Sequence, residues 1–238
     1  MTLFIIGLGL HDAKDITVKG LEAVKRCDVL YLENYTSRFH ASKEELEKFY
    51  GKKITLTDRQ FTETQTSKIL AEAKEKNVAF LVIGAPFSAT THIELFLAAK
   101  KRTIVVKVIE NASVLTAVGI TGLSLYKFGR TTTIPFQNEH IASPYDIIIK
   151  NKKLGLHTLC LLDICGEKLM TAREGLDYLI RQGLKKDERV VGCGALGSPE
   201  PEIQVGKASA VVVKKFPQCI IIPAELHFKE EEMLDLHR

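Results

Sequence analysis

Short apolar runs closed by glycine, proline or capping residues alternate along this chain with segments whose apolar positions recur at helical spacing, the pattern of an α/β protein. Thr2–Leu10 is the first such run and ends in Gly7-Leu8-Gly9. Asp15 or Thr17 can cap a helix that sets Val18, Leu21 and Val24 on one face, and Cys27–Leu32 then forms a second strand ending at Glu33 and Asn34. Glu/Lys-rich helices are expected over Lys43–Phe49 and Glu63–Lys74, flanking a strand at Lys53–Leu56. Ile104–Ile109 makes another strand, and Asn111 or Ser113 at its polar end can cap the next helix.

The stretch Leu81–Thr91 organises this first half. An apolar run, Phe80–Ile83, stops at Gly84 and Pro86, and Thr90 and Thr91 offer N-caps to a helix running to Lys100. A strand, a tight loop and a helix start sit at the carboxyl edge of an open α/β sheet, where backbone amides and the positive end of the helix meet ligands. The loop therefore reads as the centre of a small-molecule site.

Gly119–Phe136 breaks the alternation with glycines and β-branched residues and reads as the join between two halves. Beyond it the rhythm resumes with a helix around Tyr145–Lys150, a strand Thr158–Ile164, a helix Leu169–Gln182 and a strand Val190–Leu196. Gly197-Ser198-Pro199-Glu200-Pro201 makes a hard turn. Lys207–Phe216 and Cys219–Ile222 are further extended runs before an acidic last helix. The expected organisation is an N-terminal α/β domain over 1–111 and a C-terminal α/β domain over 112–238.

Composition narrows the function classes. With 238 residues, 45% of them hydrophobic, the chain can bury a core of roughly one or two domains. No run approaches the ~18 apolar residues of a membrane span, and the first strand carries no basic n-region or cleavage site, so the cytoplasm is the expected location. The net charge of +4 is spread over short Lys/Arg clusters; it gives no argument for nucleic acid and suits an anionic partner. The five cysteines include no C-x-x-C pair and read as reduced core residues; the seven histidines are scattered without zinc-site spacing, so no metal is expected.

Several polar residues stand out at strand ends. Tyr31, Glu33, Asn34 and Tyr35 bunch where substrate contacts are made in such folds. Asp163 closes an apolar strand, which costs free energy unless it serves a site or finds a partner. Lys127 and Arg130, beside Tyr126, can hold an anionic group or form a solvated hairpin. Gly7-Leu8-Gly9 lacks the third glycine of a dinucleotide fingerprint, and no P-loop, H-E-x-x-H or G-x-S-x-G element is present. The residues alone thus support a binding-driven transferase or a nucleotide-like binder, with no residue singled out as catalytic.

Six stretches are more specific than this. Gly7–Glu22, Leu32–Ser37, Ser88–His92, Asn111–Leu123, Leu125–Phe136 and Gly155–Ile164 together resemble the diphthine synthases, a family of the tetrapyrrole methylase-like class of S-adenosylmethionine methyltransferases. The resemblance implies two α/β domains with the cofactor cleft between them, a homodimer, and elongation factor 2 as protein substrate. It implies methylation of a 3-amino-3-carboxypropyl-histidine to the trimethylammonium, with S-adenosyl-L-homocysteine as the second product. The wording is closer to the eukaryotic branch, which also esterifies the carboxylate. The family's cofactor contacts fall on Leu10, Ala85, Ser88, Ser113, Val114, Leu162, Leu196 and Gln218, while Tyr126, Lys127 and Arg130 are the candidates for substrate anions. Two positions depart from the family pattern: Ala85 stands where Asp is usual and Gln218 where His is usual. The rival readings are a tetrapyrrole methylase and a noncatalytic binding protein of the same fold.

Overall fold

The structure, a computed structural model of the chain, describes residues 1–33, 37, 39–57, 59–88 and 92–237, with the backbone alone for 59–65. Two compact units divide it, Met1–Val114 and Leu115–Arg238.

The first unit alternates strand and helix: β1 (Thr2–Gly7), α1 (Val18–Arg26), β2 (Val29–Glu33), α2 (Lys43–Tyr50), β3 (Ile54–Thr57), α3 (Arg59–Glu75), β4 (Val78–Val82), α4 (Ile93–Lys101) and β5 (Val105–Ile109). The five strands are parallel in the order β3-β2-β4-β1-β5. β1 and β2 are thus joined by a β-α-β crossover that passes over β4, which pairs with both. Steps from β1 to β2 to β3 run one way across the sheet and steps from β3 to β4 to β5 run back. Right-handed crossovers then place the helices of the two directions on opposite faces. Accordingly Ala23 and Val24 of α1 and Leu46 of α2 share a core with Ile6, Leu30 and Leu81. Ile69 and Leu70 of α3 and Leu95 of α4 pack with Leu3, Ile5 and Phe80. Cover on both faces explains why the three central strands, β2, β4 and β1, are near-continuous apolar runs rather than alternating ones.

Two local expectations for this unit are corrected. Thr17 does cap α1, its hydroxyl accepting from the Gly20 amide, but Val18 is 76% exposed. The helix approaches β1 so closely at Gly20 that a Cβ there would lie 3.2 Å from Ile6 Cγ2, with Ile16 Cγ1 at 2.9 Å beside it, and Val18, about 200° round the helix from it, faces out. Before α4 the N-cap is His92 in a helical conformation without a side-chain cap bond; Thr90 and Thr91 lie outside the described residues.

The second unit begins within α5 (Val114–Ala117) and continues through 3-10 turns to β6 (Thr132–Ile134), α6 (Ser143–Lys153), β7 (Thr158–Leu162), the ribbon β8 (Ile164–Cys165) and β9 (Lys168–Leu169), α7 (Ala172–Arg181), β10 (Arg189–Gly194), β11 (Glu202–Lys207), β12 (Gln218–Ile222) and α8 (Phe228–Asp235). Its main sheet runs β11-β10-β12-β7-β6 and is antiparallel except for β6 with β7. Leu176 and Leu179 of α7 and Ile148 of α6 pack on Ile134, Cys160, Val190 and Ile220.

Here one predicted strand moves. The ladder beside β10 is made by Glu202–Lys207, so of the expected run only Lys207 pairs there, opposite Arg189, and 208–216 pairs with no strand among the described residues. Side chains of β11 take the backbone donors of that segment instead: Gln204 Oε1 accepts from Val212 N at 2.7 Å, and Glu202 Oε2 accepts from Lys214 N and Lys215 N at 2.8 Å each. Extended backbone satisfied by side chains reads in sequence like a strand but joins no sheet.

Candidate active site

At the carboxyl edge of the parallel sheet, the loops following β4, β1 and β5 are drawn into close backbone contact. Gly9 and Gly84 form an isolated bridge in which Gly84 N–H donates to Gly9 O at 2.7 Å and Gly9 N–H to Gly84 O at 3.4 Å. Both have left-handed φ, +85° and +83°, a conformation that favours glycine. At Gly7 a Cβ would lie 2.5 Å from Gly84 O and 2.9 Å from Asn111 Cβ, so the Gly7-Leu8-Gly9 element serves close approach between three loops.

Two polar side chains hold this arrangement. Asp15 Oδ2 accepts from Leu10 N at 3.1 Å and His11 N at 2.7 Å. Asn111 Nδ2 donates to Gly7 O and to Asp15 O, each at 3.0 Å, while its Oδ1 accepts from Ala112 N at 2.8 Å. Asn111 and Asp15 are therefore loop clamps rather than helix caps. Leu10, Ala85, Ser88 and Ser113 lie on these three loops, and Val114 opens α5 at the end of the third. Ala85 and Ser113 are buried, the other three half-buried, and Ser88 N–H donates to Ala85 O at 3.4 Å. A Cβ at Gly84 would meet Leu10 Cδ2 and Ala112 O at 3.8 Å, ordinary contact distance, so the left-handed φ rather than crowding favours glycine there.

A buried acid and imidazole back the Gly84–Ser88 loop. Glu33, at the end of β2, has no exposure, and its Oε2 lies 3.9 Å from His92 Nε2. The His92 ring meets Phe80 edge-on at 5.2 Å and hydrogen-bonds the Pro86 backbone carbonyl. Burial lowers its pKa to about 4 against that bond, so the ring is neutral at physiological pH. Among the polar residues picked out at this edge, Tyr31 is buried and its hydroxyl donates to Glu72 at 2.9 Å; Asn34 and Tyr35 lie outside the described residues.

The second unit collects Leu162, Leu196 and Gln218 at one edge of its own sheet. Gln218 opens β12 opposite Gly194, and the next register position pairs Cys219 with Leu161 of β7. Both ends of the Gln218 amide are engaged: Oε1 accepts from Ala172 N at 2.7 Å and Nε2 donates to Val213 O at 2.9 Å. Its side chain thus holds the first amide of α7, and a ligand at this edge would meet it through its backbone. Asp163, next to Leu162, accepts from Phe136 N at 2.9 Å and from Ile164 N at 2.8 Å, the partners that its place at a strand end demands.

The candidates for substrate anions differ in availability. Tyr126 is 89% exposed on a 3-10 turn. Lys127 Nζ is committed to Glu230 Oε2 at 2.6 Å and Glu225 O at 2.8 Å. Glu230 is itself buried and also accepts from Ser124 N, His227 N and His157 Nε2. Burial opposes its ionisation, yet Lys127 and these donors outweigh burial and hold the carboxyl well below the usual range. His157 accepts the Ala224 amide on Nδ1, which fixes its proton on Nε2. Arg130 is exposed and its guanidinium has no partner among the described residues.

The first unit thus carries Leu10, Ala85, Ser88, Ser113 and Val114 where the segments after β1, β4 and β5 meet, and the second carries Leu162, Leu196 and Gln218 at the ends of its own strands; among the described residues no group of His, Cys, Asp and Glu could hold a metal. The sequence model of the Tetrapyrrole (Corrin/Porphyrin) Methylases matches residues 2–212, and the chain belongs to that family.

Within it, the likeness runs at full length to diphthine synthases. The diphthine synthase of Methanococcus maripaludis strain C6 is 41% identical over 247 residues, covering 98% of this chain and 97% of that protein. The diphthine methyl ester synthase of Candida glabrata is 44% identical over 234 residues, covering 86% and 78%. A crystal structure of diphthine synthase superposes with a TM-score of 0.93 at 35% identity, covering 100% of this chain and 96% of the other.

Proposed function

We propose that this protein carries out the diphthine synthase reaction: transfer of methyl groups from S-adenosyl-L-methionine to the 3-amino-3-carboxypropyl-histidine of elongation factor 2, taking its amino group to the trimethylammonium and its carboxylate to the methyl ester. A methyltransferase of diphthamide biosynthesis is what the family and the full-length relatives make of the chain. The observation that supports the finer reading is the clamped junction of Gly7, Gly9, Gly84 and Asn111, which fixes the backbone of the very segments that hold Leu10, Ala85, Ser88, Ser113 and Val114.

When bound, S-adenosylmethionine supplies a methyl on a sulfonium and leaves as S-adenosylhomocysteine. The chain's part is positioning, worth up to ~7–11 kcal/mol when a nucleophile is held in line. Leu10, Ala85, Ser88, Ser113 and Val114 from the first unit, with Leu162, Leu196 and Gln218 from the second, hold the cofactor, largely through backbone groups. An Asp-to-Ala change at position 85 then forfeits at most a charged hydrogen bond, ~1.5–3 kcal/mol. The accepting amine must be neutral, and an α-amino group with a reference pKa of ~8 reaches that state at small cost without a dedicated base. Of the three candidates for substrate anions, Tyr126 and Arg130 face the protein substrate, with Arg130 free to meet an anion, whereas Lys127 is engaged by Glu230. The enzyme works as a cytoplasmic homodimer.

Calorimetric titration with S-adenosylhomocysteine tests the cofactor assignment. Saturable heat, lost in a Gly84→Val variant that remains folded by circular dichroism, is the expected result. A folded wild-type chain that gives no heat overturns it and leaves the noncatalytic reading.

A further inference from the structure

A cavity of about 330 Å³ lies on the second unit, lined by Arg130, Thr131, Thr132 and Thr133 on one side and by Ser143, Asp146, Ile147 and Lys150 on the other. Its first wall is the approach to β6, the edge strand of the mixed sheet; its second is the first turns of α6. We propose that this cavity is an oxyanion-binding site that receives an anionic group of the protein substrate, with Arg130 and Lys150 as its cations. The identity of that substrate rests on the function proposed above; the oxyanion chemistry does not.

The backbone that presents Arg130 is rigidly held. Asn151, buried in α6, accepts from Arg130 N on Oδ1 at 3.1 Å and donates from Nδ2 to Arg130 O at 2.9 Å and to Thr158 Oγ1 at 2.9 Å. The exposed guanidinium therefore projects from a fixed point while its backbone is tied to the helix forming the opposite wall. Neither the Arg130 guanidinium nor the Lys150 ammonium has a hydrogen-bond or ion-pair partner among the described residues. Thr131 and Thr133 beside β6 and Ser143 at the start of α6 add hydroxyl donors to the lining. Two cations against the single carboxylate of Asp146, ringed by hydroxyls, suit a phosphate or carboxylate group. Sequence proximity pairs Arg130 with Lys127; the fold commits Lys127 to Glu230 and supplies Lys150 instead, twenty residues further on.

The test combines inorganic phosphate binding, followed by 31P line broadening, with steady-state kinetics on elongation factor 2 isolated from cells lacking the enzyme. Arg130→Ala and Lys150→Ala are each expected to raise KM for elongation factor about 3- to 10-fold, with kcat and S-adenosylhomocysteine affinity unchanged. Asp146→Asn should lower that KM. Phosphate should compete with the protein substrate in the wild type and not in the Arg130→Ala/Lys150→Ala double variant. Unchanged KM in both single variants overturns the proposal, including where phosphate still binds, since the cavity then takes free anions only. If wild-type protein transfers no methyl to elongation factor, the function proposed above fails separately. Phosphate broadening that vanishes in the double variant then upholds the oxyanion site, and its absence in the wild type overturns that too.

Discussion

Asn111 spends every polar atom of its side chain on backbone: its amide nitrogen closes Gly7 and Asp15, and its oxygen takes the amide of Ala112. Removing it leaves two carbonyls without a donor at the point where three loops meet. Asn111→Ala should lower unfolding free energy by about 3 kcal/mol, at ~1 kcal/mol for each of the three lost bonds, and weaken S-adenosylhomocysteine binding. Urea unfolding and calorimetry on the same preparation check both. Asn111→Asp should rescue neither, because a carboxylate cannot donate. The sequence marks Asn111 as polar at a strand end, which is enough to flag it and too little to give its role, since Gly7 stands 104 positions away. The same holds at Gln218, whose amide donates and accepts across the start of α7. A residue type announces that a partner is needed; only the fold says which one.

Among the elements, α8 shows how a helix can be placed well and understood poorly from its pattern. An acidic last helix reads as a solvated face, and most of its carboxylates are exposed, but Glu230 is buried and closes a capping box with His227. Through Ser124, Lys127 and His157 the same carboxylate ties the helix to the 3-10 turn and the segment before β7. Glu230→Gln should cost about 2–3 kcal/mol, read by chemical denaturation, because Lys127 keeps its charge and loses its carboxylate. The start of α2 on its Ser42–Glu45 box agrees with the expected Lys43, whereas α7 starts at Ala172 on the Thr171–Glu174 box, three residues past the expected Leu169, which lies in β9. The 208–216 segment was not legible in advance, because Gln204 and Glu202 replace the ladder its spacing suggests. The face of α1 was missed for a related reason: the close approach at Gly20 is set by contact with β1, not by the periodicity of α1.

For the whole molecule, the alternation of strand and helix reveals an α/β chain, and continuous apolar strands reveal a covered parallel sheet in the first unit. The antiparallel pairing of the second unit is not visible that way, since strand order depends on contacts that spacing does not encode. Stability toward acid also belongs to this scale. His92, with a pKa of about 4 folded against a reference of ~6.5, binds fewer protons folded than unfolded between those values. Its contribution is complete above pH ~6.5 and falls by about 3 kcal/mol on the way down to pH 4. His157, lowered by burial, adds in the same direction. Glu230, with its carboxyl held down, contributes above the unfolded carboxylate pKa of ~4.3 and loses that contribution as pH falls further. Urea midpoints should therefore drop between pH 6.5 and 4, and His92→Gln should flatten the upper part of that slope. A midpoint independent of pH across this window contradicts the buried, neutral His92.

The central claim concerns what leaves the active site, and intact-peptide mass spectrometry of elongation factor 2 reads it directly. The factor is isolated from cells lacking the enzyme and incubated with this protein and S-adenosylmethionine. Methyl increments confined to the modified histidine, three on the amine and a fourth removed by mild base as an ester, are the predicted result; three alone would restrict the reaction to the amine. An unchanged mass, with S-adenosylhomocysteine binding intact, would contradict elongation factor 2 as the substrate.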